Sequence, residues 1–401
     1  MQKISSDNVL DETDSIPDKR IVVQIIEGLE GISDLEKDWD DLFSRAVDAP
    51  PFLSRPWIST YVEEGEIKGT PLFILAWCNT RLVALFPLEV RKFLNKTIAM
   101  PISTYQGFYL GLLLDPGYRS VIEDLANIII SRKVFDVYYS ADLSSEDLAT
   151  NELLDKLVNK GYCHRQVFRN SCFYFELNCS FDDYFKKKAS SKSRQNLLRR
   201  ERRLFENGNV KIEHYAAEEV TPAVLIRIAA VERQSWLKRR GVAVLQNSFY
   251  QKLLLKMAQA GIGHVWLMNI NGEDAAFEYV FISHRRLQFV WRAFSLKHTS
   301  SVSIGQILMM HTIRDACSNG LLSMDIGHGD SDYKRFWAED GYTVNRVLVA
   351  CGVVGRLIAT YYYLTWRLAA IEWLRFSYRR MRLFFYGFRE KQKVLRKEIS
   401  S

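Results

Sequence analysis

The 401 residues exceed the usual size of one hydrophobic core, so two domains of about 150 to 200 residues each are expected. Apolar residues make up 48% of the chain and charged residues 25%, which excludes a largely disordered or fibrous protein. The six cysteines form no C-x-x-C pair and the histidines form no H-E-x-x-H motif, so no metal site is predicted.

The first half of the chain, residues 21–180, is predicted to alternate strands and helices. Residues 1–20 carry five acidic residues and no apolar run, which predicts a disordered start without a secretory signal, and hence a cytoplasmic protein. The elements that follow are strand 21–26, helices 35–46 and 56–64, a hairpin with arms 72–78 and 82–90, helix 121–130, strand 135–139, helix 146–159, and paired strands 162–168 and 172–177.

A basic linking helix is predicted between the halves, within residues 181–208. Leu197, Leu198, Leu204 and Phe205 fall at helical spacing over 182–207, and Gly208 ends the run. Residues 186–203 hold nine basic side chains and one acidic one, without interleaved aromatic residues. This charge supports phosphate binding without base reading, so a nucleotide-sugar, a lipid phosphate, a tRNA backbone and a merely solvated helix face all fit. For the protein as a whole, nucleic acid is not the expected partner.

The second half, residues 209–352, repeats the order of the first. Its elements are strand 210–214, helices 222–238 and 249–260, a hairpin with arms 264–270 and 275–283 around Asn271-Gly272, strand 287–293, helix 304–318, strand 321–326, a short helix 333–337 and strand 343–351. Duplication explains the repeated order most economically, and a chance likeness of two α/β halves is the alternative.

The entrance of helix 304–318 is the predicted cofactor site. Free amides at a helix N-terminus and the aligned peptide dipoles suit a pyrophosphate, and Gly305 permits close approach. The residues assigned to this site are Ser301, Val302, Ser303, Ile304, Gly305 and Gln306. The alternative is that the serines only cap the helix. The equivalent entrance in the first half is Asp115-Pro116-Gly117, where a carboxylate and a missing amide disfavour phosphate.

Two further segments carry candidate catalytic groups. Glu278 stands in an otherwise apolar strand, so burial would raise its pKa and make it a plausible base; pairing with Arg292 on the next strand is the alternative. Asp325 precedes a glycine-rich turn at a strand end, where open sheets gather ligands. There Asp325, His328 and Asp330 are candidates to orient an amine or hydroxyl, Tyr333 to protonate a leaving thiolate, and Lys334 to neutralise a phosphate. A polar turn capped by Asp330, with Trp337 in the core, is the alternative reading.

Four short motifs follow one another along the second half of the chain. They are Glu232-x-x-Ser235-Trp236-x-x-x-x-Gly241, Ala276-Phe277-x-Tyr279-x-Phe281, Ser303-x-Gly305 with Leu308, and Asp325-x-Gly327-x-Gly329-x-x-x-Tyr333-Lys334-x-x-Trp337. Together they resemble the GNAT-superfamily acetyltransferases of the cellulose-biosynthesis CelD-like branch, over most of residues 20–352. The resemblance implies a tandem GNAT-like α/β fold of two mixed-sheet domains, and acetyl-CoA or another acyl-CoA as co-substrate.

The resemblance also implies an amine or hydroxyl acceptor, often a glycan precursor, in exopolysaccharide, cellulose or cell-envelope biosynthesis. It places Glu232, Trp236, Arg292 and Trp337 with the turn residues as substrate contacts. Direct transfer needs no covalent enzyme intermediate, and Cys317 is expected in the core. The tandem layout is also similar to the Fem peptidyltransferases, which use aminoacyl-tRNA. A non-catalytic nucleotide or nucleic-acid binder and a membrane-recruited scaffold are the remaining readings.

The C-terminal segment, residues 353–401, is basic and aromatic. Residues 356–398 hold eleven basic and three acidic side chains, and Arg356 and Arg367 interrupt the apolar run too early for a membrane-spanning helix. The pattern predicts an amphipathic helix that binds an anionic membrane, which would make the protein peripheral at the inner face of the membrane. Packing of its aromatic face on the protein or on another subunit is the alternative.

Overall fold

The computed structural model describes residues 20–28, 33–103, 109–239, 241–298 and 303–369. In the first half the helices and strands are β1 (Ile21–Glu27), α1 (Glu36–Arg45), α2 (Arg55–Glu63), β2 (Thr70–Cys78), β3 (Arg81–Phe93), β4 (Lys96–Pro101), β5 (Leu113–Leu114), α3 (Val121–Ser131), β6 (Val137–Ser144), α4 (Leu148–Asn159) and β7 (Cys163–Glu176). The expected disordered start, 1–20, lies almost entirely outside the described residues.

Two helices connect the halves, and the second half then follows the order of the first. These elements are α5 (Phe181–Lys188), α6 (Ser191–Asn207), β8 (Val210–Tyr215), α7 (Pro222–Arg233), α8 (Trp236–Arg239), α9 (Ser248–Gln259), β9 (Gly263–Ile270), β10 (Glu273–Ser283), β11 (Arg286–Phe294), α10 (Ile304–Ser318), β12 (Ser323–His328), α11 (Asp332–Trp337), β13 (Glu339–Ala350) and α12 (Gly352–Ala369).

The two halves share one mixed sheet because they exchange their last strands. The strand order is β1-β2-β3-β4-β6-β13-β7-β12-β11-β10-β9-β8, with β5 paired to β3. Strand β13 of the second half lies between β6 and β7, and β7 of the first half lies between β13 and β12. Each half contributes one parallel pair, β4 with β6 and β11 with β12. Because of this exchange, the part of the sheet formed by each half includes a strand from the other half.

The core is divided by the sheet into several apolar clusters. Helices α1, α2, α7 and α9 share one cluster between the halves, where Trp57 and Phe281 meet at 5.7 Å between ring centroids and Tyr61 and Phe249 at 4.9 Å. Helices α3 and α4 cover the other face of the first half, and α5 and α10 cover the other face of the second. The shared cluster therefore holds the halves together as one body.

Two sequence-based expectations about local structure are wrong. Residues 162–177 form the single strand β7, because eleven of its residues pair with β13, and this non-local pairing overrides the turn propensity of Asn170-Ser171. Residues 182–207 form two helices, because Ala189 is extended and the Ser190 hydroxyl caps α6 by accepting from the backbone N–H of Ser193.

Two smaller differences also concern local structure. Helix α7 ends at Arg233, five residues before the expected end, because Ser235 forms a β-bridge with Ser295. Strand β4 was not expected. Throughout the described ranges, every helix is too short or too polar to span a bilayer.

Candidate active site

The parallel strands β11 and β12 pair over only part of their length and then separate. Their pairing runs from Arg286–Ser323 to Gln288–Asp325, and beyond it β11 continues to Phe294 on β10 alone. The edge of β11 that faces β12 therefore has no strand partner in this part of the described sheet. Because a strand edge offers N–H and C=O groups, the opening is a place where a polar chain can bind between the strands.

Helix α10 begins beside this opening. The backbone N–H groups of Gln306 and Ile307 bond to the carbonyl oxygen of Ser303, at 2.9 and 3.0 Å. The Ser303 hydroxyl makes no capping bond within the helix and accepts instead from Nη1 of Arg200, at 3.0 Å. An arginine from α6 thus reaches the positive end of the α10 dipole, and this arrangement favours an anion. Ser301 and Val302 lie outside the described residues.

Gly305 has a packing role at this entrance. A Cβ added to Gly305 would lie 3.0 Å from Cδ1 of Phe294 on β11. The missing side chain therefore allows α10 to approach the strand. In the first half, Asp115 caps a short 3-10 turn, Pro116–Tyr118, by accepting from the Gly117 N–H at 3.0 Å, and it is ion-paired with Arg45. Helix α3 itself begins after this turn, with Ser120 as its N-cap, so the expected entrance at Asp115 lies one turn too early.

Helix α6 is fixed along α10 by Glu201. Glu201 contacts Nε2 of His311 at 2.7 Å and Nη1 of Arg314 at 3.6 Å, and Phe205 stacks on His311. Burial acts to raise the pKa of Glu201, but the bonds and charges of these two partners outweigh it, and the pKa is lowered. The basic residues around Glu201 remain exposed next to the α10 entrance.

Glu278 and Arg292 form an ion pair inside the interface between sheet and helix. Glu278 is 1% exposed; its Oε1 lies 3.1 Å from Arg292, and its Oε2 accepts from Thr312 at 2.7 Å. Arg292 also donates to the carbonyl oxygen of Gly305 at 2.9 Å, and its guanidinium lies 4.5 Å from the centroid of the Tyr333 ring. Burial raises the pKa of Glu278, opposed by Arg292 and Thr312. The pairing considered as an alternative for Glu278 is thus present.

Asp325 and Lys334 form a second cluster below the opening. Asp325 Oδ1 accepts from the Gly327 N–H at 2.6 Å, and its Oδ2 accepts from the Tyr342 hydroxyl. Lys334 is 7% exposed, and its Nζ donates to the Gly327 carbonyl at 3.1 Å. Burial raises the pKa of Asp325 to about 6 and lowers that of Lys334 to about 8. Both groups therefore titrate near neutral pH.

Asp325 lines a cavity of about 610 Å³ between the two halves. The first half contributes the loop after α1 and the start of α4, including Glu146 and Asp147, and the second half contributes Arg286, Gln288 and Asp325. Asp147 caps α4 by accepting from the Thr150 N–H at 2.9 Å, and burial raises its pKa to about 6. The cavity is large enough for a small polar molecule, and its carboxyl groups suit a ligand with an amine or hydroxyls.

Residues 191–335 match a protein-family model described as "Acetyltransferase (GNAT) domain". No curated protein matches the chain. The likeness therefore covers α6 and most of the second half, including the α10 entrance, the opening and Asp325.

Solved structures show a similar fold at low sequence identity. The C-terminal domain of a putative lysylphosphatidylglycerol synthetase from Agrobacterium fabrum is 13% identical, with a TM-score of 0.51, over 82% of this chain and 95% of that one. FemX is 10% identical, with a TM-score of 0.55, over 77% and 95%. A tandem GNAT protein from the clavulanic acid biosynthesis pathway is 8% identical, with a TM-score of 0.43, over 82% and 98%. The mixed α/β sheet of two GNAT-like halves expected from the sequence is confirmed.

The remaining predicted substrate contacts are scattered through the second half of the chain. Glu232 is fully buried and accepts from the backbone N–H groups of Val244 and Leu245, at 3.1 and 2.8 Å, so it anchors the loop before α9. Trp236 is half-buried on α8. Asp330 is exposed and bonds to Arg335 at 2.5 Å.

Two more predicted contacts lie near the turn after β12. Trp337 is fully buried and stacks on Phe185 at 5.6 Å between ring centroids, as the alternative reading of this turn expected. The side chain of His328 lies outside the described residues, although its backbone ends β12.

Several residues of the site were not predicted. The strand exchange brings three such residues to Asp325 from other elements of the fold. The hydroxyl of Tyr342 bonds to Asp325, and Tyr109 and Asp147 line the same cavity as Asp325. Cys172 lies beneath them, 3.7 Å from the Tyr109 hydroxyl, and burial raises the pKa of its thiol to about 12, so the thiol stays protonated. Cys317 packs against the α10 core, and burial raises its pKa to about 11. Only the helix-capping position of Asp147 carries a local sequence signal.

Proposed function

We propose that the protein transfers an acyl group from acyl-CoA to an amine or hydroxyl acceptor. The observation that carries the proposal is the coincidence, within a GNAT domain, of the α10 entrance with the point where β11 and β12 part. The diphosphate would lie at the amides of Ile304 and Gly305 beside Arg200, and the thioester would enter the opening. The acceptor would occupy the cavity between the halves, and the two substrates would meet near Asp325.

Asp325 is the group best placed to take the acceptor's proton. It lines the cavity, whereas Glu278 is enclosed between β10 and α10 and is already ion-paired. With a pKa of about 6, Asp325 is mostly ionised at neutral pH and can accept a proton as the acceptor attacks the thioester carbonyl. The carbon–sulfur bond then breaks, and the thiolate leaves and is protonated. Tyr333 as the acid and Glu278 as a base stay predictions.

Lys334 would support the same step electrostatically. Its ammonium is held against the Gly327 carbonyl, and its pKa of about 8 keeps it mainly protonated at neutral pH. A positive charge near the reacting carbonyl favours the negative charge that develops on its oxygen. We propose that the acceptor is an exopolysaccharide or cell-envelope precursor, and this part of the proposal rests on the CelD-like resemblance alone.

Titration calorimetry with coenzyme A tests the donor. We expect Arg200→Ala to weaken binding about tenfold, because a hydrogen bond to a charged group contributes about 1.5 kcal/mol or more. Arg202→Ala is the matched control, since Arg202 is an exposed arginine on the same helix. Binding that is equal in both variants would remove α6 from the donor site, and a wild-type chain that binds no coenzyme A would refute the proposal.

A second candidate is aminoacyl transfer from tRNA. The observation that favours it is the exposed basic face of α6 next to the α10 entrance, since polyanions bind such surfaces. The fold likeness to FemX and to the lysylphosphatidylglycerol synthetase domain is compatible with it. Incubation with labelled acetyl-CoA and with labelled aminoacyl-tRNA separates the candidates, because only the true donor delivers label to an acceptor pool.

A further inference from the structure

Helix α12 packs one face against the sheet. Ile358 and Ala359 are buried there, and Trp366 lies 4.9 Å from Tyr139 between ring centroids. Tyr362 and Tyr363 pack against the same cluster. Most aromatic side chains of this part of the C-terminal segment are therefore used within the protein, as the alternative for that segment expected.

The opposite face of α12 is an exposed apolar stripe. Its members are 52–76% exposed and are Val353, Leu357, Tyr361, Leu364 and Leu368. Their spacing of three or four residues keeps them on one side of a helix that is about 27 Å long. Monomeric soluble proteins seldom expose so continuous an apolar surface without a binding role.

A second exposed apolar element lies near α12, on the side of the helix that carries Tyr362. Phe93 and Leu94, at the turn between β3 and β4, are 43% and 68% exposed. Phe93 lines a groove together with Tyr362 of α12, so the hairpin tip and the helix are neighbours. We call the stripe together with Phe93 and Leu94 the α12 surface. Two elements from different parts of the chain thus present large apolar side chains in one region.

Cationic side chains accompany the α12 surface. Arg356 and Arg367 are exposed on α12, which contains no acidic residue, and the exposed Lys92 precedes the hairpin tip. The chain continues beyond α12 with nine basic and three acidic residues over 370–401. Apolar side chains that protrude among cations complement an anionic bilayer, because the apolar groups enter the acyl boundary while the cations meet lipid phosphates.

We propose that the α12 surface binds an anionic lipid bilayer, with α12 parallel to the membrane plane. A second copy of this chain fits less well, because a symmetric pairing would bring the cations of one α12 towards those of the other. The inference does not depend on the proposed transfer reaction, since its test measures no activity.

Vesicle flotation of the full chain tests the proposal. The probes are phosphatidylcholine vesicles with and without phosphatidylglycerol, at low and high salt. The variant is Leu357→Asp with Leu364→Asp, and the control is Ile226→Asp with Val242→Asp, which also places two charges at exposed apolar positions. We expect the wild type to bind only the anionic vesicles and to bind them more weakly in high salt. The α12 variant should bind these vesicles at least about tenfold more weakly than the wild type. The control should bind like the wild type.

Three results would overturn the proposal. The first is equal binding by the wild type and the α12 variant, or no binding by the wild type. The second is a dimer in sedimentation velocity that the α12 variant abolishes, because a second copy would then occupy the surface. The third is a clear fall in the thermal unfolding temperature of the α12 variant, because the stripe would then be covered within the folded chain.

Discussion

Replacement of Asp325 by asparagine should raise stability and abolish most activity. Partial burial holds the pKa of Asp325 at about 6, against an ordinary value of 3.8. This difference of about two units means that ionisation of Asp325 at neutral pH costs the folded state up to about 3 kcal/mol. Asparagine carries no charge but has one acceptor oxygen for the two donors, Gly327 and Tyr342, which subtracts about 1 kcal/mol. We therefore expect a net gain of about 1–2 kcal/mol at neutral pH.

The pH dependence of this gain has a definite sign. Because the folded pKa of Asp325 lies above the unfolded value, the folded state keeps its proton over a range where the unfolded state has lost it. The stabilisation from that proton is complete below about pH 4 and is lost as the pH rises through about 6. Urea unfolding should therefore show Asp325→Asn more stable than the wild type at neutral pH, and the advantage should vanish near pH 4.

The activity readout separates a catalytic from a structural carboxylate. As a general base, Asp325 would contribute about 10²- to 10⁴-fold, so Asp325→Asn should lower kcat by that factor while coenzyme A affinity stays near wild type. Asp332→Asn is the control, since Asp332 is exposed at the start of α11. A variant that is less stable at neutral pH, or one that retains kcat within a few-fold, would refute the assignment.

Three further predictions follow from single contacts. Tyr342→Phe removes a hydrogen bond that lowers the pKa of Asp325, so the acid limb of kcat/KM should move up by about one pH unit; an unmoved limb would separate Asp325 from the rate. Gly305→Ala places a Cβ 3.0 Å from Phe294, so urea unfolding should show a loss of about 1–3 kcal/mol that Phe294→Leu partly restores. Glu232→Ala leaves both backbone N–H donors, of Val244 and Leu245, without their acceptor, so we expect a loss of about 1–3 kcal/mol, and unchanged stability would contradict the loop-anchoring role.

The fold could be predicted where local signals dominate. Helix 304–318 matches its expected bounds because Asn319-Gly320 stops it, and Gly320 has a φ of +64°. The hairpin at Asn271-Gly272 formed as expected, since both residues adopt positive φ. The exchange of β7 and β13 could not be predicted, because it depends on pairing between residues about 170 positions apart, which no local pattern records.

The candidate site could likewise be predicted only where its residues lie close together in the sequence. Asp325 and Lys334 follow one glycine-rich turn, so the sequence places them together, and the structure links both to Gly327. Tyr342 and Asp147 come from other elements, and the exchanged strands bring them to Asp325 and its cavity. Glu278 has an unusual sequence environment, but burial alone does not distinguish a reactive carboxylate from one that is ion-paired with Arg292.

The two halves differ at the helix entrance where a phosphate would bind in the proposed function, and this difference assigns a separate role to each half in that proposal. In the first half, Asp115 caps the 3-10 turn Pro116–Tyr118 ahead of α3 and is ion-paired with Arg45, so a carboxylate lies where a phosphate would be repelled. In the second half, the Ser303 hydroxyl accepts a hydrogen bond from Arg200 and makes no capping bond within α10. Yet the first half supplies much of the cavity wall. In the proposed function, the second half therefore holds the donor while the first half forms much of the wall of the acceptor cavity, and the exchanged strands β7 and β13 join the two halves.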